Sequence, residues 1–207
     1  MILKTFVVGM IENNNYLLID ENSKEAVLID CSEYISEIEE NLKKYDAKLK
    51  YVLITHGHFD HILGLEELHK VFPETPILAP INDKELIEDV SSFVDRFVGG
   101  LGHVNVPPIT KYIDENESLS IGNSKITVIN TPGHTSGGVC YLVDDKLFSG
   151  DTIFLGSVGR TDFGGNYQQL KNSVQYILNS LDEDIKIYPG HGDLTTIKYE
   201  KINNPMK

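Results

Sequence analysis

The chain has 207 residues, 41% apolar and 24% charged, the composition of one globular domain spanning 1–207. Lys plus Arg number 18 against 31 Asp plus Glu, and a formal charge of −13 repels phosphate backbones, so no nucleic-acid partner is expected. No apolar run is long enough to span a membrane, the N-terminus lacks a signal-peptide layout, and Cys31 and Cys140 form no C-x-x-C pair; a soluble, reduced, cytoplasmic protein without a membrane partner is expected.

In chain order, 2–8 reads as a strand, and 16–20 with 26–30 as a hairpin around a polar turn. Ser32 is placed as the cap of a helix carrying Ile35, Ile38, Leu42 and Tyr45 at helical spacing. The apolar run 51–54 reads as a buried strand, and 62–72 as a helix closed by Pro73 and Pro76. A short strand at 77–79 precedes a helix over 83–98, whose face is Leu86, Val90, Phe93, Val94 and Phe97 and whose stop is Gly99-Gly100. Residues 101–108 read as a loop bordering the active site. The stretches 118–121 and 125–130 form a hairpin around Gly122-Asn123, and 139–143 with 147–148 form another strand pair. Leu170, Val174, Ile177, Leu178 and Leu181 mark the last helix, and 185–188 the final strand. Hairpins alternating with amphipathic helices imply a sheet-on-sheet core with helices outside, an α/β (α+β) class.

Thr55-His56-Gly57-His58-Phe59-Asp60-His61 places four metal-ligand types at H-x-H-x-D-H spacing on the loop leaving the 51–54 strand. Imidazole and carboxylate suit Zn²⁺ best, with Fe²⁺ or Mn²⁺ as alternatives. Three later loops each follow a short apolar strand and carry one more ligand beside a glycine: His134, Asp151 and His191. His69, on a helix, and His103, in the 101–108 loop, lie outside any such spacing. Seven ligands exceed the four of one tetrahedral ion, whereas two divalent ions sharing a carboxylate fit the count, with Asp151 as the bridge. Such a pair polarises a carbonyl and supplies hydroxide at neutral pH, which is hydrolytic chemistry.

On these motifs the chain resembles the metallo-β-lactamase-fold superfamily over nearly its whole length. The resemblance implies a four-layer αββα sandwich, a first metal site of His56, His58 and His134, and a second of Asp60, His61 and His191 bridged by Asp151. The stretch Gly159-Arg160-Thr161-Asp162, with Pro132-Gly133-His134-Thr135 and Tyr188-Pro189-Gly190-His191-Gly192, is similar to the glyoxalase II-like branch. That branch comprises hydroxyacylglutathione hydrolases and persulfide dioxygenases, and this chain resembles a short form lacking the C-terminal helical domain. Asp30-Cys31-Ser32 stands where the family usually has Asp-Pro-Gly; Cys31 reads as structural, and Asp30 either supports the metal loop from behind or caps a turn.

The leading expectation is a metal-dependent hydrolase of small-molecule thioesters. Asp60 and Asp151 carry the catalytic roles, Asp60 holding a proton and Asp151 bridging the ions. A leaving thiol with a pKa near 8.5 departs without a dedicated acid. Arg160 is the candidate grip for a substrate carboxylate, its alternative being an internal pair with Asp162. The rival is a mononuclear iron persulfide dioxygenase using His56, His134 and Asp151, and a lactonase or other ester hydrolase is a further alternative.

Overall fold

Alternation along the strand Asn13–Asp20 sends Tyr16 and Leu18 to one face and Leu17 and Ile19 to the other, and all four are buried. A strand apolar on both faces lies between two layers, and this one does. In a computed structural model, which describes residues 1–100 and 103–207, it belongs to a six-stranded sheet of β1 (Ile2–Val8), β2 (Asn13–Asp20), β3 (Glu25–Ile29), β4 (Lys48–Leu53), β5 (Ile77–Pro80) and β6 (Lys111–Ile113), in that order. The first three strands are antiparallel, as the hairpin pattern predicts, but β3 to β6 run parallel. Helix α1 (Ser36–Lys44) makes the crossover from β3 to β4 and buries Ile38 and Leu42.

Two helices expected as continuous are each broken. The first, expected over 62–72, is α3 (Leu65–Val71), and its expected first residue, Ile62, belongs instead to a separate short helix on the histidine loop, α2 (Phe59–Ile62). Gly64 sits at the break, and a Cβ there would lie 2.6 Å from the backbone of Glu33 and Tyr34, so the chain passes closest to the β3–α1 loop at that point. The second becomes a 3₁₀ turn Ile81–Asp83, then α4 (Lys84–Glu88) and α5 (Val90–Phe97), separated at Asp89. Ser32 is no helix cap: α1 starts later, after Ile35, and the Ser32 hydroxyl donates instead to Asn15 Oδ1 at 3.0 Å. Leu101, Gly102 and the side chain of Phe97 lie outside the described residues.

The second sheet holds β7 (Leu119–Ile121), β8 (Ser124–Asn130), β9 (Val139–Val143), β10 (Lys146–Gly150), β13 (Lys186–Pro189) and β14 (Thr195–Thr196), in the order β14-β13-β10-β9-β8-β7. A two-stranded hairpin of β11 (Ile153–Phe154) and β12 (Ser157–Val158) follows β10, and α6 (Tyr167–Ser180) carries the chain across to β13, parallel to β10. A last helix, α7 (Ile197–Asn203), capped by Thr196, lacks a long apolar stripe and had no counterpart among the expected elements.

Three apolar clusters separate four layers. One packs α1, α3 and α5 on the outer face of the first sheet, through Ile38, Leu65 and Val94. The second fills the space between sheets with Tyr16, Leu53, Tyr141 and Phe148. The third packs α6 and α7 on the second sheet through Val174, Ile177 and Ile197. The fold is the expected αββα sandwich. Tyr188 stacks on Phe148 between the sheets, with ring centroids 5.3 Å apart. Cys31 and Cys140 are buried free thiols, and no described helix is long and apolar enough to cross a membrane.

Candidate metal centre

Each candidate ligand follows the carboxyl end of a strand: His56 to His61 after β4, His134 after β8, Asp151 after β10 and His191 after β13. The two sheets bring these ends to one edge, and two hydrogen bonds to backbone carbonyls after β4 hold them there. Val139 N donates to Thr55 O at 2.9 Å, and the Tyr141 hydroxyl donates to Ile54 O at 2.7 Å.

His56 Nε2, His58 Nδ1 and His134 Nε2 form a triangle with sides of 3.1, 2.8 and 3.2 Å. The outer nitrogens determine what it presents. His134 Nδ1 donates to Arg160 O at 2.6 Å, which leaves Nε2 as a lone pair. The Thr55 hydroxyl donates to Asp30 Oδ2 at 2.8 Å, so at 3.1 Å it accepts from His56 Nδ1, and His56 Nε2 is a lone pair too. Two facing lone pairs at 3.2 Å repel unless a cation lies between them. Burial and the neighbouring His134 push His58 down to about 3, and burial with the cluster's other imidazoles holds His56 well below its ordinary value. Both are neutral donors at pH 7.

Asp60, His61 and His191 form the second group. His191 Nε2 lies 3.1 Å from Asp60 Oδ2, and His61 Nε2 3.4 Å from it. His191 Nδ1 donates to Ile11 O at 3.1 Å. Asp151 lies between the groups, with Oδ1 3.4 Å from His61 Nε2 and Oδ2 3.4 Å from His134 Nε2 and 3.8 Å from His191 Nε2. Its buried Oδ1 has no hydrogen-bond partner. Burial opposes a charged Asp151, but His61, His134 and His191 outweigh it and hold the carboxyl below its ordinary value. Burial likewise opposes a charged His61, and Asp30, Asp60 and Asp151 overcome it, raising that imidazole well above its ordinary value. Gly190 makes room for the pair: a Cβ there would lie 2.3 Å from Asp151 Oδ1. Converging lone pairs, an orphaned carboxylate oxygen and an N/O donor set fit divalent cations.

Asp30 supports the metal loop from behind and does so twice. Held at φ +59, it accepts from Thr55 N and Thr55 Oγ1, each at 2.8 Å, and lies 2.8 Å from His61 Nδ1. Two features escaped sequence reading. Asp83, expected only as a helix start, is fully buried and accepts from Gly57 N (2.9 Å), Thr135 Oγ1 (2.7 Å) and Gly137 N (2.6 Å), clamping the His56–His58 loop to the His134 loop. Asn13 and Asn14 extend β2 into the site: Asn13 Nδ2 lies 3.0 Å from His61 Nε2, and Asn14 Nδ2 donates to Pro189 O and Gly192 O around His191. A run of three asparagines opening a strand is the readable signal, because amides that become buried there, as all three do, demand partners.

The cluster floors a cavity of about 270 Å³ walled by Ile11, Phe59, Phe93, Val98, Phe154 and Phe163. Arg160 reaches its rim, bonded through Nε to Asp162 Oδ1 (2.8 Å) and lying 4.2 Å over the Phe163 ring. His103 lines a different cavity with Ser91 and Tyr112, and His69 is half-buried on α3, so neither joins the cluster.

Two helix-backed sheets with a buried His/Asp cluster where strand ends converge define a metal-centred αββα protein. Residues 10–191 match the family model described as the metallo-beta-lactamase superfamily. The chain belongs to that superfamily and is a metallo-hydrolase. It is 34% identical to the hydroxyacylglutathione hydrolase GloC of Haemophilus influenzae over 93% of this chain and 92% of that protein. The crystal structure of the BLEG-1 B3 metallo-beta-lactamase superposes with a TM-score of 0.87 at 33% identity, covering 99% of this chain and 98% of that one. TTHA1623, solved in a di-iron-bound form, superposes with a TM-score of 0.83 at 26% identity, covering 99% and 100%.

Proposed function

We propose that the protein is a thioester hydrolase of the glyoxalase II-like kind, working with two divalent ions, most simply Zn²⁺. The observation that carries this reading is the makeup of the cavity. Among its described lining residues, none beyond the cluster and Arg160 is polar, and none offers a hydroxyl, thiol or ammonium to protonate a leaving group. A thiol, with a pKa near 8.5, leaves as thiolate without such help, whereas an alkoxide or amine does not. The similarity to GloC supports the same class, and two buried free thiols agree with a reducing, cytoplasmic setting.

In this reading His56, His58 and His134 hold one ion, Asp60, His61 and His191 the other, and Asp151 serves both. Bound there, the ions would polarise a carbonyl oxygen and lower the pKa of water towards neutrality. Asp60, on the cavity floor, accepts the proton of the attacking water at its carboxylate. The carbonyl–sulfur bond then breaks, giving a carboxylic acid and a thiolate. Phe93 and Phe163 exclude bulk water from that floor. Asp30, Arg160 O and Ile11 O hold the imidazoles in the tautomers the site requires.

Free-thiol release from S-lactoylglutathione by metal-loaded protein, with His58→Ala as control, is the test. Release that vanishes in the control supports the reading. If no thioester releases thiol, the reading falls, and oxygen uptake with glutathione persulfide then tests the iron dioxygenase on His56, His134 and Asp151.

A further inference from the structure

We infer that the site selects thioesters by an apolar acyl chain and, among its described lining residues, gives no charged grip to a peptide thiol such as glutathione. This rests on the thioester reading above and adds the substrate class to it.

The cavity has two apolar flanks, one beside each half of the cluster. Next to the three-histidine group, the Phe93 ring lies 5.0 Å from the His58 ring and 6.3 Å from that of Phe163, with Val98 beyond them. Next to the second group, the Phe154 ring lies 6.1 Å from the His191 ring, and Ile11 completes that side. Ile11 and Val98 are 51% and 41% exposed, so large apolar side chains face water at the mouth where a ligand would cover them. A carbonyl resting on the cluster therefore has aromatic and aliphatic surface on either side of it, as a ligand pocket with few polar anchors requires.

Charge points the same way. Glutathione carries two carboxylates and one ammonium, and holding it calls for cations. Apart from the histidines, Arg160 is the basic side chain among the described lining residues, and its fork is already closed on both Asp162 oxygens, at 2.8 and 2.5 Å. A chain of net charge −13 adds long-range repulsion towards an anionic tripeptide.

The test is a set of S-acyl-N-acetylcysteamine thioesters, from acetyl to octanoyl with lactoyl included, cleaved by metal-loaded protein, together with acetyl and hexanoyl glutathione. The expected result is a kcat/KM that rises about four-fold per added methylene until the chain outgrows the 270 Å³ cavity. Glutathione should give no advantage over N-acetylcysteamine. Phe93→Ser should cut the octanoyl-to-acetyl ratio of kcat/KM about ten-fold. Calorimetry gives a readout independent of turnover: S-octyl-N-acetylcysteamine should bind more tightly than the S-methyl thioether, and Phe93→Ser should narrow the difference about ten-fold. A flat acyl series, or a marked preference for glutathione esters, overturns this inference and leaves the thioester reading standing. Thiol release from none of the esters overturns that reading itself.

Discussion

The two halves of the cluster are built differently. His56, His58 and His134 meet through nitrogen alone, all buried, two of them driven towards neutrality by burial and by one another. Asp60, His61 and His191 mix carboxylate with imidazole, and the His191 side chain remains 23% exposed beside the cavity. There the carboxylates raise His61 and His191 against the opposing effect of burial. The lesson is that burial has opposite outcomes within a few ångströms, depending on whether a carboxylate is near. The all-nitrogen half is a preformed donor set, while the mixed half must shed protons as it takes a cation.

Breaking the all-nitrogen half should have the largest effect. His58→Ala removes a corner of the triangle, and thioester turnover should fall by about 10³-fold or more, read as kcat/KM. Asp30→Ala tests whether the halves are independent, because Asp30 touches His61 directly and His56 through Thr55. In the two-ion reading proposed above, affinity at both ions should weaken about 10- to 100-fold, measured by competition with a chromophoric chelator; loss of one ion alone would separate the halves. Asp83→Ala leaves Gly57 N, Thr135 Oγ1 and Gly137 N without their acceptor. A cost of about 3 kcal/mol should appear as a fall of roughly 6–12 °C in the calorimetric Tm. His103→Ala, in the separate cavity, should leave turnover and metal content unchanged.

The candidate site was far more legible than its supports. His56, His58, Asp60 and His61 sit on one turn, and a ligand cluster that local shows in any reading of the chain. Asp83 did not show, since nothing near it in sequence says that three donors from two distant loops converge on its carboxylate. Asn13 and Asn14 escaped for a related reason: the strand was read from its apolar residues, and its polar start is buried only because the final loop closes over it. Arg160 was given two readings; the structure shows its fork on Asp162, and its backbone carbonyl orients His134, a role no side-chain pattern announces.

By itself the sequence determined what local pattern encodes: the longer strands, the amphipathic helices α1 and α6, and the seven donors at strand ends, but not the short strands β6, β11, β12 and β14 or helix α7. Period and spacing are properties of neighbouring residues, so they survive without knowledge of the fold. Tertiary structure alone decided the parallel run of β3 to β6, the breaks at Gly64 and Asp89, the opposite electrostatics of the two donor groups and the apolar walls above them. Those depend on which distant segments share a layer, and on how burial and neighbouring charge compete at each titrating group.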